Sequence, residues 1–213
     1  MSALAPAINK NAKILALFAV ACTAAVGIVH LLTKDRIELQ AQQQLIKQLN
    51  EIIDENNHDN EMFRDCISAP NVSKNDLAID VIYRARKNDQ PVAAAIKTVA
   101  PDGYNGNIEL LIAVNKDGSV SGVRTLLHKE TPGLGDKIEL RKSDWITKFS
   151  GNKVLGESDN RWAVIKDGGI FDQFTGATIT PRAVVKTVRK TVDFFTANQN
   201  VIFTTESNCE AKQ

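Results

Sequence analysis

Near its start the chain carries an unbroken apolar run. From Ile14 to Leu32 it reads ILALFAVACTAAVGIVHLL, with no formally charged residue. A bilayer-spanning helix needs roughly 20 such residues, whereas the apolar part of a cleaved signal peptide ends after about 7–15. The run therefore predicts a retained transmembrane helix over 14–32, because the apolar stretch continues well past the small residues of CTAA. The pattern then thins to one apolar position in every three or four. Ile37, Ala41, Leu45, Leu49 and Ile52 or Ile53 fall at helical spacing among Gln, Glu and Lys, which predicts an amphipathic continuation of the same helix. The turn-favouring NNHDN at 56–60 ends it, and a loop with Cys66 and Pro70 follows.

From about residue 78 the period shortens to two. AIDVIYRA, PVAAAIKTVA, IELLIAVN and SVSGVRTLLH read as successive strands, separated by the turn signals NDQP, PDGYNGN and NKDG. Links this short cannot make parallel crossovers, so the strands form an antiparallel meander. HKETPGLGDK is a Gly- and Pro-rich loop, and KSDWITKF a short helix capped by Ser143 or Asp144. RWAVIKDGGIFDQF predicts another strand or two, and a final helix runs from near Pro181 to about Asn198. The fold class is α+β, an antiparallel sheet meander with flanking helices behind one N-terminal transmembrane helix. The divisions are 1–13 as an N-terminal segment, 14–32 as the span, 33–75 as helical stalk and linker, and 76–213 as the soluble domain.

Charge removes several function classes. Lys and Arg total 26 against 25 Asp and Glu, a formal net charge of +1, so no basic stripe marks a nucleic-acid partner. The sequence has no G-x-S-x-G elbow, P-loop or G-x-G-x-x-G fingerprint, which argues against a self-contained hydrolase or NAD enzyme. His30 and His58 are isolated, and His128 with Glu130 lacks a second cluster at ligand spacing, so no metal site is expected. Lys10, Lys13 and the amino terminus precede the span, while Asp35 separates Lys34 from Arg36 after it. The positive-inside rule then inclines residues 1–13 toward the cytoplasm. Cys66 and Cys209 are an even pair outside the span, suited to a disulfide in an oxidising compartment or, equally, to two unpaired thiols.

Two stretches remain. In TITPRAVVKTV, Thr180 is a preferred N-cap and Pro181 a preferred first helical residue, while Val184, Val188, Val192 and Phe195 make the apolar stripe. A capped helix explains that much, but not the TGAT in front of it. Gly176 lets the backbone turn sharply, Ala177 permits close approach, and Thr178 sits where helix N–H groups favour an anion such as phosphate. The other stretch, HKETPGLGDKIE, places Leu134 between two glycines in a tight loop whose N–H groups could surround a planar or anionic ligand.

DQFTGATIT matches the D-x-x-[S/T]-G-A-T-x-[S/T] pattern of proteins that carry FMN as a phosphothreonine ester, with Thr175 in place of the more frequent Ser. ETPGLGDKIE resembles the second signature of those domains, about forty residues earlier. APDGYNG and DWITKF resemble the G subunits of the Rnf (Rsx) ion-translocating electron-transport complexes, and the similarity covers essentially the whole chain. The runner-up within the family is a flavin-carrying subunit of another respiratory complex, such as the C subunit of sodium-translocating NADH:quinone oxidoreductase, though TPRAVVKTV resembles the Rnf member more closely. The resemblance implies FMN esterified through its phosphate to Thr178, installed by a magnesium-dependent flavin transferase that uses FAD and recognises Asp172, Thr175, Gly176 and Ala177. It puts Thr131, Gly133 and Leu134 against the flavin, with Glu130 and Lys166 as further candidates. It implies an inner-membrane, single-pass, periplasm-facing protein with other membrane subunits as partners, relaying electrons between ferredoxin and NAD chemistry in a complex that moves ions. The alternative from another class is a membrane-tethered interaction module in which TGAT is only a cap.

Overall fold

In the computed structural model, residues 4–68, 77–156 and 158–209 are described, with side chains from residue 9 onward. Helix α1 spans Leu4–Ile52 without a break. Pro6 lies in its first turn, where a missing N–H is tolerated, and no later proline interrupts it. The chain forms two compact units, Met1–Lys47 and Gln48–Gln213. In the first, Leu15, Phe18, Val26 and Leu31 all turn outward, so the helix is apolar all round. It is long and apolar enough to cross a membrane.

The second unit begins with the last residues of α1, at Gln48, while the sequence boundary at 75/76, like Pro70, falls outside the described residues. The helix stops at Ile52, and Asp54 then accepts the backbone N–H of Asn56 at 2.9 Å to start a single 3₁₀ turn over Glu55–Asn57. Five strands follow: β1 (Cys66–Ser68), β2 (Ala78–Lys87), β3 (Gln90–Gly103), β4 (Gly106–Asn115) and β5 (Val120–Leu127). They form one antiparallel sheet in chain order. The β2–β3 hairpin turns on Asn88 and Asp89, both at positive φ, the primed-turn geometry that matches strand twist. Near the end of β3 the register shifts between Ala100 and Gly103, where Pro101 has no N–H to give the ladder.

Register explains how both faces are covered. Ile67, Ile82, Ile96, Ile112 and Val123 are cross-strand partners and form a branched apolar row. Helix α2 (Ile179–Thr204) buries Val184, Val185, Val188, Val192 and Phe195 in the same core. One residue along each strand, the row is Cys66, Tyr83, Ala95, Ala113 and Gly122, facing the other way. Its small members admit the end of α1: a Cβ at Gly122 would stand 2.9 Å from Ile52 Cβ. Ser121 donates to the Ile52 carbonyl at 2.6 Å, and Arg124 pairs with Glu51 at 3.2 Å.

Four expectations are adjusted. Cys66, expected in a loop, lies in β1; Ser68 N–H donates to Asn208 Oδ1 at 2.7 Å, so the chain's tail holds the strand's outer side. Residues 161–174 form no strand, only single bridges Val164–Phe171 and Phe174–Ala177 and a 3₁₀ turn at Ile165–Asp167. Gly168 at φ +88° reverses the chain there, and Gly169 packs so tightly on Ala163 that a Cβ would meet its carbonyl oxygen at 1.9 Å. Helix α2 begins two residues before Pro181 and continues past Asn198, because Ile202 still buries in the core. The expected short helix at KSDWITKF is a 3₁₀ turn over Asp144–Phe149, capped by Ser143, which accepts the Trp145 N–H at 3.2 Å.

Candidate functional site

The two stretches singled out by sequence fold as matching turns. Leu134 N–H reaches the Thr131 carbonyl at 3.1 Å around Pro132 and Gly133, with Gly133 at φ +77°. Ala177 N–H reaches the Phe174 carbonyl at 3.1 Å around Thr175 and Gly176, with Gly176 at φ +79°. In each, the third turn position needs the left-handed backbone that glycine adopts without strain. The turns also touch. A side chain at Gly176 would come within 3.7 Å of Leu134 Cδ2, so Leu134 lies over the second turn.

The TGAT turn is anchored from below. Phe171 and Phe174 are buried, Phe174 packing edge-on to Trp145 at 5.1 Å between centroids. Trp145 Nε1 donates to the Asp172 carbonyl at 2.8 Å, while Lys148 pairs with the Asp172 carboxylate. On the other side of the turn, Arg182 forks onto Asp167 with two bonds of 2.6 Å. That guanidinium holds the Asp167 carboxyl below its usual range.

Glu130 joins the parts. Its side chain is buried at 5% exposure. One carboxylate oxygen accepts the backbone N–H of Asn105 at 3.1 Å, and the other accepts the hydroxyl of Thr180. Asn105 sits in the two-residue tip of the β3–β4 hairpin, and Thr180 in the first turn of α2. One carboxylate thus ties together the hairpin tip, the ETPGLG loop and the start of the final helix. Gly135 permits the closeness, since a Cβ there would stand 2.8 Å from Glu130 Oε2 and 3.0 Å from the Thr180 hydroxyl. His128 orients the backbone beside it: Nδ1 accepts the Glu130 N–H at 3.0 Å and Nε2 meets Glu139 at 2.8 Å, which assigns the proton to Nε2. Arg141, then His128, hold the Glu139 carboxyl below its usual range.

This arrangement corrects the cap. Thr180, expected to cap the final helix, is fully buried and spends its hydroxyl on Glu130. The N-cap is Thr178, whose side chain makes no capping bond. Thr178 is half-buried and lines a cleft of about 570 Å³ with Tyr104, Glu130, Thr131, Leu134, Gly135 and its neighbours at 176–180. Of the sequence candidates, Thr178, Gly176, Ala177, Thr131, Leu134 and Glu130 line this cleft. Gly133 and Thr175 belong to the turns but not to the lining, and Asp172 is engaged with Lys148. Lys166 is exposed, its backbone N–H donating to Gln173 Oε1 at 3.2 Å. Sequence reasoning missed Tyr104, Gly135, Ile179 and Thr180 as lining residues. Tyr104 was legible as part of a turn signal and of the APDGYNG resemblance, but not as a lining residue, because its place beside Glu130 depends on strand pairing. Among the described residues no group of three or more His, Cys, Asp or Glu is placed to hold a metal.

The cleft suits a flavin. Ligand pockets measure about 300–1,000 Å³, and this one offers Leu134, Ala177, Ile179 and Tyr104 to a planar ring. The start of α2 supplies N–H groups for a phosphate, and the uncommitted Thr178 hydroxyl lies beside them.

Comparison with known proteins agrees. A family model of the FMN-binding domain matches residues 103–193, which include the hairpin tip and both turns. Residues 103–193 are therefore of the FMN-binding-domain class, in a chain that also carries a helix able to span a membrane. A second model, the RnfG N-terminal region, matches residues 1–52. The G subunit of the ion-translocating oxidoreductase complex from Shewanella oneidensis is 53% identical over 206 residues, covering 95% of this chain and 96% of the relative. Its counterpart from Shewanella loihica is 50% identical, covering 96% and 97%, and that of Aliivibrio fischeri 49%, covering 96% and 98%. This chain belongs to the family of G subunits of ion-translocating oxidoreductase complexes. A looser likeness, to the crystal structure of Shewanella oneidensis NqrC, has a TM-score of 0.45 at 22% identity, covering 59% of this chain and 61% of that one.

Proposed function

We propose that this chain is the membrane-anchored flavoprotein subunit of an Rnf-type complex, relaying electrons through FMN esterified to Thr178. The complex couples ferredoxin and NAD redox chemistry to ion translocation, and the soluble unit lies on the periplasmic side of the inner membrane. The observation that carries the covalent assignment is Thr178, a cleft-lining residue at the start of α2 whose hydroxyl is not used as a cap. In the attachment step a flavin transferase directs that oxygen to the FMN phosphorus of FAD. The new O–P bond replaces the bond to AMP, AMP departs, and the hydroxyl proton leaves with it. Bound FMN supplies one- and two-electron redox chemistry. The chain's own residues do the rest: Glu130 fixes the three segments of the cleft, the two glycine turns shape it, and Leu134 and Ala177 give it an apolar wall. A covalent tether also fits an exported redox protein, from which a dissociable flavin would be lost by diffusion.

The test is the mass of the tryptic peptide from Asp167 to Arg182, taken from the chain produced with its flavin transferase. It should carry the added mass of esterified FMN, located by fragmentation to Thr178 rather than Thr175 or Thr180. A bare peptide under those conditions would leave the interaction-module alternative standing.

A further inference from the structure

We infer that Tyr104 is a positioning residue for the flavin, its phenol ring packing on the isoalloxazine of FMN held at Thr178. The inference rests on the flavin reading above and adds a residue to it. Tyr104 occupies the two-residue tip between Gly103 and Gly106, which pair across the hairpin. It is 65% exposed, whereas Tyr83 in the sheet is 5% exposed, so its ring is not part of the core. It is also the one aromatic side chain among the residues lining the cleft.

The tip that carries it is held in place. Asn105 N–H donates to Glu130 Oε1 at 3.1 Å, and Asn105 Nδ2 reaches Thr131 Oγ1 at 3.4 Å. Behind it, a Cβ at Gly103 would meet the Gly106 carbonyl oxygen at 2.2 Å and Glu130 Oε1 at 3.0 Å, so only glycine allows this approach. The backbone of the tip is therefore fixed on Glu130, the same carboxylate that fixes the first turn of α2 just after Thr178. The ring and the attachment oxygen share one support. A planar, electron-poor ring tethered at Thr178 meets the phenol as an offset or edge-on aromatic partner.

Flavin emission reads this contact directly, because a phenol touching the excited ring quenches it by lending and recovering an electron. The full chain, produced with its flavin transferase and purified in detergent, should emit several-fold less in the native state than after unfolding in urea. Y104F keeps a ring of the same shape but cannot lend the electron, so its native emission should rise toward the unfolded level. Y104W should stay quenched. Flavin content is normalised on the emission of denatured bands, so a change in loading is not mistaken for a change in quenching. Wild-type emission that does not rise on unfolding overturns the inference without any variant, and so does a Y104F protein as dim as wild type. A bare Thr178 peptide in the wild-type chain would instead defeat the flavin reading itself, which keeps the two failures apart.

Discussion

At the scale of single residues, the site turns on two threonines two positions apart with opposite tasks. Thr180 is fully buried and its hydroxyl satisfies the buried carboxylate of Glu130. Thr178 is half-buried and bonds nothing as a cap. Leaving a buried acceptor unpaired costs roughly 1–3 kcal/mol, so Thr180→Val should lower unfolding stability by about that amount in a urea titration. Thr178→Ala should change stability by less than about 0.5 kcal/mol, as surface substitutions do, yet abolish in-gel flavin fluorescence. Equal losses of stability in the two variants would contradict these assignments. The sequence pattern showed that hydroxyls cluster here but assigned the cap to Thr180. Which hydroxyl is free is settled by Glu130, fifty positions away along the chain and adjacent only after folding.

At the scale of elements, the last turn of α1 is as much a part of the sheet domain as of the anchor helix. Leu49, Ile52 and Ile53 are buried, and Ile52 rests on the bare backbone of Gly122 in β5. Gly122→Val would drive a branched side chain into Ile52. Overpacking of this kind costs typically about 1–3 kcal/mol, read as a lower urea midpoint, together with faster proteolysis between α1 and β1. Helical periodicity showed the stalk and period-two alternation showed four strands, because both signals are local. The fifth strand, β1, and the absence of strands at 161–174 were not legible, since each depends on contacts with distant segments. Ser207 and Asn208 support β1, and the paired glycines Gly168 and Gly169 fold 161–174 back on itself.

At the scale of the whole molecule, pH and redox state bear on stability. Burial first, then the charge of Asp80, push the Tyr83 phenol from its ordinary 10.0 up to about 12. Because the folded state disfavours the phenolate, this stabilisation is complete below pH 10 and is lost as pH rises toward about 12. Tyr83→Phe should therefore flatten the alkaline fall in Tm. At the acid end, Lys153 and Ser119 hold Asp117 below the usual carboxylate range, and Arg182 does the same for Asp167. The unfolded chain takes up protons first, so these contributions are present above pH about 4 and fade on acidification. They are exposed ion pairs, and the effect should be small and salt-sensitive. Cys66 and Cys209 are paired, with Cα atoms 5.6 Å apart, while Cys22 is free. Thiol labelling of the denatured chain, taken from an oxidising compartment, should therefore modify only Cys22 before reduction and all three cysteines after it. Labelling of three thiols without reductant would argue against both the bond and the periplasmic placement.

The sequence by itself determined the apolar span, the alternating strands and the two glycine-threonine turns, because length, period and backbone chirality act within a few residues of one another. Tertiary structure alone decided what those turns enclose. Glu130 had to meet Asn105 and Thr180 before a cleft existed, and the register of β3 on β4 had to be set before Tyr104 stood at its edge. Thr178 could be singled out as a candidate from its neighbours in sequence. That its hydroxyl is left uncommitted follows only from the neighbours it acquires in space.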